Sequence, residues 1–233
     1  MKTVLSVMAA AVIAAGTAQA VDLDVSGSMG ADVVSAYIFR GATVNDEWNV
    51  QPFVEAATHG VTAGAWWNWN TDLENFDEVD FYVSWDVPLP EDQPLGLSIG
   101  YTNYDFPDYV RDGSVELEGA DREIQIGLSA DVILQPTLFA GFGVDGPFLD
   151  KGIYLALGAS HDYEINEKAT ISGGATLGFE LGDNVTNTGA SFLQLSLGAS
   201  YDIIGITFNY IAETDDKVLV VDEDWYVAFS IAI

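Results

Sequence analysis

The chain has 233 residues, 36 of them acidic against 7 basic, for a formal charge of −29, and it contains no cysteine. That balance argues against nucleic acid, itself a polyanion, as a partner, and the missing cysteines exclude a fold held by disulfide staples. Beyond the first twenty residues no apolar run approaches the roughly 20 residues that a spanning helix needs, so a membrane would have to be crossed by strands.

Met1 to Ala20 reads as a secretory signal peptide. Lys2 precedes an apolar run from Val4 to Ile13, and Thr17-Ala18-Gln19-Ala20 is a small-x-small exit. Residues 21–233 are then a single domain. Its first strand falls within Val21 to Phe39, firmest over Asp32 to Phe39. A second strand, Trp48 to Ala57, carries Val50, Pro52, Val54 and Ala56 on one face with Gln51, Phe53 and Glu55 on the other. Val61 to Asn70 follows. Phe76 to Val87 alternates most cleanly, with Val79, Phe81, Val83, Trp85 and Val87 against Glu78, Asp80, Tyr82, Ser84 and Asp86. That period of two is the signature of a strand with one apolar face.

The series continues through Leu95 to Tyr104, Glu123 to Val132, Leu134 to Phe142, Ile153 to Asp162, Ala169 to Glu180, Phe192 to Asp202 and Ile204 to Ala212. The closing strand runs to the last residue, with Trp225, Val227, Phe229, Ile231 and Ile233 on one face and Tyr226, Ala228, Ser230 and Ala232 on the other. Some twelve such strands recur without a helix to cover their apolar faces. The pattern predicts an all-β fold, a transmembrane antiparallel up-and-down β-barrel whose apolar faces meet lipid.

Connections set an expected orientation. Thr58-His59-Gly60, Leu89 to Pro94, Ile133, Asn166 to Lys168 and Ile203 are tight, whereas Asp105 to Asp121 and Glu213 to Asp222 are long and acidic. Barrels in bacterial outer membranes have short periplasmic turns and longer outer loops, which puts both termini in the periplasm.

On the face away from lipid, the later strands carry Ala156, Gly158, Ser160, Ser172, Gly174, Thr176, Gly178, Ser196, Gly198, Ser200, Gly205 and Thr207. Such side chains are too small to fill a barrel. Twelve strands about 4.8 Å apart and tilted about 40° enclose a cylinder of radius about 12 Å, so the wall leaves room for water. A plug formed by the 105–121 loop is the alternative.

Candidate lumen acids, by parity, are Glu55, Glu78, Asp80, Asp86, Glu123, Asp131, Asp162, Glu180 and Asp202, with Trp66 and Tyr82 as inward aromatics. Of the six basic residues after the signal, Arg111 and Lys217 fall in outer loops, Arg122 and Lys151 at the outer rim and Lys168 in an inner turn. Only Arg40 has a place on the lumen wall, nearest Glu78 and Asp80 by strand height. One cation against nine anions predicts a lumen that prefers cations.

Other motifs weigh little. Gly141-Phe142-Gly143-Val144-Asp145-Gly146 has the spacing of a dinucleotide fingerprint, but no helix follows to hold a pyrophosphate. Ser160-His161-Asp162 has the residue types of a triad, yet strand parity points His161 away from the other two, so no enzyme is predicted. The loop acids Asp105, Asp108, Asp112, Asp215, Asp216, Asp222 and Asp224 lack the spacing of a dedicated calcium loop. Neither a metal site nor a cofactor is expected.

Ser35-Ala36-Tyr37-Ile38-Phe39-Arg40-Gly41, directly after the signal region, resembles the end of the first strand in the TorF-type porin family of Gram-negative outer membranes. The Thr62-Ala63-Gly64-Ala65-Trp66-Trp67 segment is similar to that family's tryptophan-bearing third strand. Ala36 departs from the aspartate common at its position. The resemblance implies an outer-membrane, porin-like role with no assigned solute and no catalytic residues. The expectation is a passive pore for small hydrophilic solutes or cations, inserted in lipid by the outer-membrane assembly machinery. A closed or plugged barrel whose acidic loops bind a surface partner is the alternative.

Overall fold

The structure is a computed structural model and describes residues 24–90, 92–111, 115–146, 149, 151–181, 189–213 and 224–233. The signal-peptide expectation, Lys217 and the loop acids Asp112, Asp215, Asp216 and Asp222 lie outside the described residues.

Alternation of small or polar with apolar residues produces fourteen strands among the described residues. They are β1 (Ser26–Val34), β2 (Tyr37–Phe39), β3 (Ala42–Asn45), β4 (Asn49–Thr58), β5 (Val61–Asn70), β6 (Asn75–Asp86), β7 (Leu95–Arg111), β8 (Val115–Ala130), β9 (Thr137–Asp145), β10 (Ile153–Asn166), β11 (Ala169–Leu181), β12 (Gly189–Tyr201), β13 (Ile204–Glu213) and β14 (Trp225–Ala232). Twelve of them close into one antiparallel barrel in which each strand pairs with its neighbours in sequence, except that β1 pairs directly with β4. The remaining two, β2 and β3, form a separate two-stranded hairpin.

Closure runs through the two ends of the chain. β1 and β14 pair from Gly30↔Ala232 to Val34↔Ala228. Met29 and Ile233 exchange both backbone bonds, at 3.0 and 2.9 Å. A closed ladder leaves no unpaired edge, which is the condition for strands in hydrocarbon.

The burial pattern is inverted relative to a soluble protein. Phe81, Val83, Trp85, Leu195, Leu197 and Phe208 are exposed on the outside, Phe81 at 47% and Leu197 at 61%. Asn49 and Asn68 are wholly buried inside, and Asp121 and Glu123 are 1% exposed. A continuous exposed apolar belt of this kind is stable only against lipid. In the closing strand Trp225, Phe229, Ile231 and Ile233 are exposed on that belt, with Val227 half-buried among them.

Several boundaries differ from the sequence reading. The first barrel strand ends at Val34, and the chain then turns away from the wall instead of running on to Phe39. Over its described residues the 105–121 segment extends β7 and β8 as a paired ladder, with Asp105↔Ala120 and Arg111↔Val115, rather than forming a loop. β8 stops at Ala130 and β9 starts at Thr137, so the link between them is six residues and includes Leu134 and Gln135 at positive φ.

Candidate functional site

The site is the barrel lumen and the hairpin that enters it. Ser35 continues the β1–β14 ladder by one residue: its N–H donates to the Val227 carbonyl at 2.9 Å and its Oγ accepts the Val227 N–H at 3.0 Å. From there the chain leaves the wall. β2 and β3 are joined by Arg40 and Gly41, both at positive φ (53° and 82°), the requirement of a two-residue turn matched to strand twist. Gly41 also lies so close to the Phe192 ring that a β-carbon would collide with it.

One side of the hairpin is tied by charge and hydrogen bonds. The Tyr37 hydroxyl donates to Glu78 Oε2 at 2.7 Å, and its ring meets Trp66 at 5.7 Å between centroids. Phe39 meets Tyr104 edge-on at 5.8 Å. Arg40 Nη2 donates to both oxygens of Glu123 at 2.7 Å, in an ion pair whose side chains are 10% and 1% exposed. Glu123 also accepts from Tyr104 at 3.2 Å and Gln125 at 2.9 Å. The guanidinium carbon stands 4.2 Å from the Tyr154 ring centre and 4.8 Å from that of Phe39.

The other side is apolar. Ile38 packs on a cluster of Tyr154, Ala156, Phe192 and Ile211, joined by Phe139 and Tyr226. The hairpin therefore bridges the lumen from β5–β8 to β10–β14. At its base, Asn45 and Asn49 exchange amide bonds, and Asn49 accepts from Asn68, which donates to Asp77 at 2.7 Å.

Two hairpin groups have displaced proton affinities. Burial first, and the Glu78, Asp80 and Asp77 carboxylates after it, push the Tyr37 hydroxyl well above its ordinary range, so it stays a donor. Burial works against the charge on Arg40, but Glu123, with Glu180 behind it, holds the guanidinium above its usual value.

The expected lumen residues divide into four groups. Glu78, Asp80, Glu123, Glu180 and Trp66 gather around the hairpin. Glu55 and Tyr82 lie lower on the wall, where the Tyr82 hydroxyl donates to Glu55 at 2.8 Å and Ser28 donates to the same carboxylate at 3.1 Å. Asp86 and Asp162, both exposed, stand toward the short-turn ends of β6 and β10. Asp131 and Asp202 are not on the wall. Asp131 is exposed in the β8–β9 link, and Asp202, at φ 57°, sits in the β12–β13 turn with Lys168 3.6 Å away. Arg40, expected beside Glu78 and Asp80, reaches Glu123 instead, because the hairpin carries it off the wall.

The inward acids that escaped the parity reading include Asp32, Asp77 and Asp121, the last 1% exposed opposite Tyr104 on β7. Asp32 sits on β1 opposite Gln51 and Ser230. Asp77 has lipid parity in the sequence, but a register shift pairs Asn68 with Glu78 and Trp69 with Phe76, leaving Asp77 as the extra residue turned inward, 3% exposed. A carboxylate at a lipid position was itself the signal for a bulge. The triad-like residues stay apart: Ser160 lies on the inward face and donates to Gln135 at 3.4 Å, while His161 is on the alternate face opposite Gly173. The glycine-rich run belongs to β9 and the bend after it.

A closed, antiparallel, twelve-stranded barrel with an apolar exterior and a hydrophilic interior has the fold of the outer-membrane porins. A solved porin structure has the same fold. The NanC porin matches with a TM-score of 0.51 at 14% identity, over 89% of this chain and 98% of that one. OmpT from Vibrio cholerae lacking its loop L8 (TM-score 0.41, 7% identity, 91% and 99% covered) and Salmonella typhi OmpF in complex with daunomycin (0.41, 9%, 90% and 96%) are more distant. No family model and no curated protein matches the sequence.

Proposed function

We propose that the chain is an outer-membrane channel for passive diffusion of small hydrophilic solutes, with cations preferred and both termini in the periplasm. The observation that supports it best is the wall itself. Below the hairpin, facing positions such as Ser98, Ser129, Gly158, Ser172, Ser196 and Gly198 carry small or hydrophilic side chains, unlike the packed core of a closed barrel. The resemblance of Ser35 to Gly41 to the TorF-type porins favours the same role. Cation preference rests on charge placement. Arg40 is engaged by Glu123, whereas Asp32, Glu55, Asp86 and Asp162 have the inward parity of their strands. At about 0.15 M salt the screening length is about 8 Å, so such charges are felt across much of a lumen this size.

Reversal potentials in planar bilayers under a potassium chloride gradient test the proposal. The expected sign is that of K⁺ passing ahead of Cl⁻, with the preference reduced in molar salt; a reversal potential at zero would refute the selectivity. The seating of the hairpin across the lumen favours a second reading, a closed barrel that binds a partner at the cell surface. Absence of any steady open current would favour that one.

A further inference from the structure

We propose that the seat of the Arg40 guanidinium is a binding site for small organic cations carrying a guanidinium group, which the chain's own arginine fills as an internal ligand. The proposal deepens the channel reading and rests on it for the route by which such solutes arrive.

Most of the seat belongs to the barrel rather than to the hairpin. Glu123 on β8 offers both oxygens at 2.7 Å, and Tyr104 and Gln125, from β7 and β8, hold that carboxylate in place. Tyr154 on β10 presents its ring face 4.2 Å from the cation, and Glu180 on β11 contributes to the field. Among the described residues touching the guanidinium, Phe39 is the one from the hairpin. Removing Arg40 thus leaves a carboxylate and an aromatic face aimed at one point, held by paired strands. That combination selects weakly hydrated, planar cations over alkali ions, which gain nothing from the ring once their hydration shell is counted.

The occupant is placed for exchange. Arg40 stands at the tip of a two-residue turn, at a φ of 53° that a side-chain-bearing residue adopts reluctantly. A solute cation taking its place would detach that tip from β8 and weaken the bridge across the lumen.

The test uses full-length protein refolded in detergent, with Arg40→Gly to empty the seat. Arg40→Asn, whose side chain tolerates this φ, serves as a second variant should the first fold poorly. Guanidinium chloride at millimolar concentration is expected to reduce K⁺ current through the emptied variants saturably. Wild type should need about tenfold more, the factor set by one charge-assisted contact. Adding Glu123→Gln should abolish the effect. Equal responses with and without Glu123→Gln would overturn the proposal. If no variant conducts, the channel reading fails, and intrinsic-fluorescence titration with guanidinium still decides the site. A saturable change in Arg40→Gly that is lost with Glu123→Gln supports it; no saturable change refutes it.

Discussion

Replacing Glu123 by glutamine in the otherwise unaltered chain removes the charge beneath Arg40 while keeping the side chain's volume. The pair is nearly dry, at 10% and 1% exposure, and a buried pair that loses one partner costs about 3–5 kcal/mol. The loss falls on the hairpin, because position 123 itself is held by β7 on one side and β9 on the other. What still retains the hairpin is of similar size. The Tyr37–Glu78 bond is worth about 1.5–3 kcal/mol, and burial of Ile38 is worth about as much. Glu123→Gln should therefore let the hairpin leave its seat while the barrel stays closed. Hydrogen exchange in detergent micelles reads this directly: amides of Tyr37–Phe39 and Ala42–Asn45 should exchange roughly a hundredfold to several thousandfold faster, and β9–β12 amides should not change. Unchanged hairpin exchange, or equal acceleration throughout the barrel, would refute the reasoning.

Further tests address the wall, the turn and the seam. Leu195→Arg on the lipid face should cost about 2–4 kcal/mol at mid-membrane, and neighbouring Ser196→Arg in the lumen much less; heat-modified gel mobility distinguishes them. Gly41→Ala forces a β-carbon into the Phe192 ring at a φ of 82°, and should loosen the hairpin by at least the roughly 1–2 kcal/mol of the left-handed conformation, seen as hairpin-specific exchange. Truncation after Ser230 strips Met29 and Ala31 of their partners and should abolish membrane insertion, as should Phe229→Asp on the lipid face; protease protection of the barrel in isolated membranes checks both.

Much of the barrel was legible because a wall between lipid and water is written residue by residue. Phe81, Val83 and Trp85 alternate with Tyr82 and Ser84, and each comes out on the face its parity assigns. Parity says nothing about where a strand stops. Asp131 and Asp202 keep the correct phase but lie in a link and a turn, where the left-handed residues Leu134, Gln135 and Asp202 end the ladder. The hairpin was hidden for a related reason. Tyr37-Ile38-Phe39 alternates as a wall strand would, and Arg40-Gly41 is a fainter turn signal than Asn-Gly. What carries those residues inward is tertiary: an ion pair and a hydrogen bond to acids 83 and 41 positions away. The motif that carried the family resemblance, Ser35 to Gly41, proves to be the exit from the wall and most of the hairpin.

The bond from the Val227 amide to the Ser35 hydroxyl joins residues 192 positions apart, across the first and last strands of the barrel. It sits where the chain departs from the wall, so the direction of that departure is fixed only once the final strand has arrived. The hairpin's other anchors, on β5 to β13, likewise exist only in a nearly complete sheet. During synthesis and insertion, then, the second and third strands to be made are among the last to find their place. A barrel still open along the β1–β14 seam has an uncrossed interior, and zipping that seam is also what installs the bar across the passage.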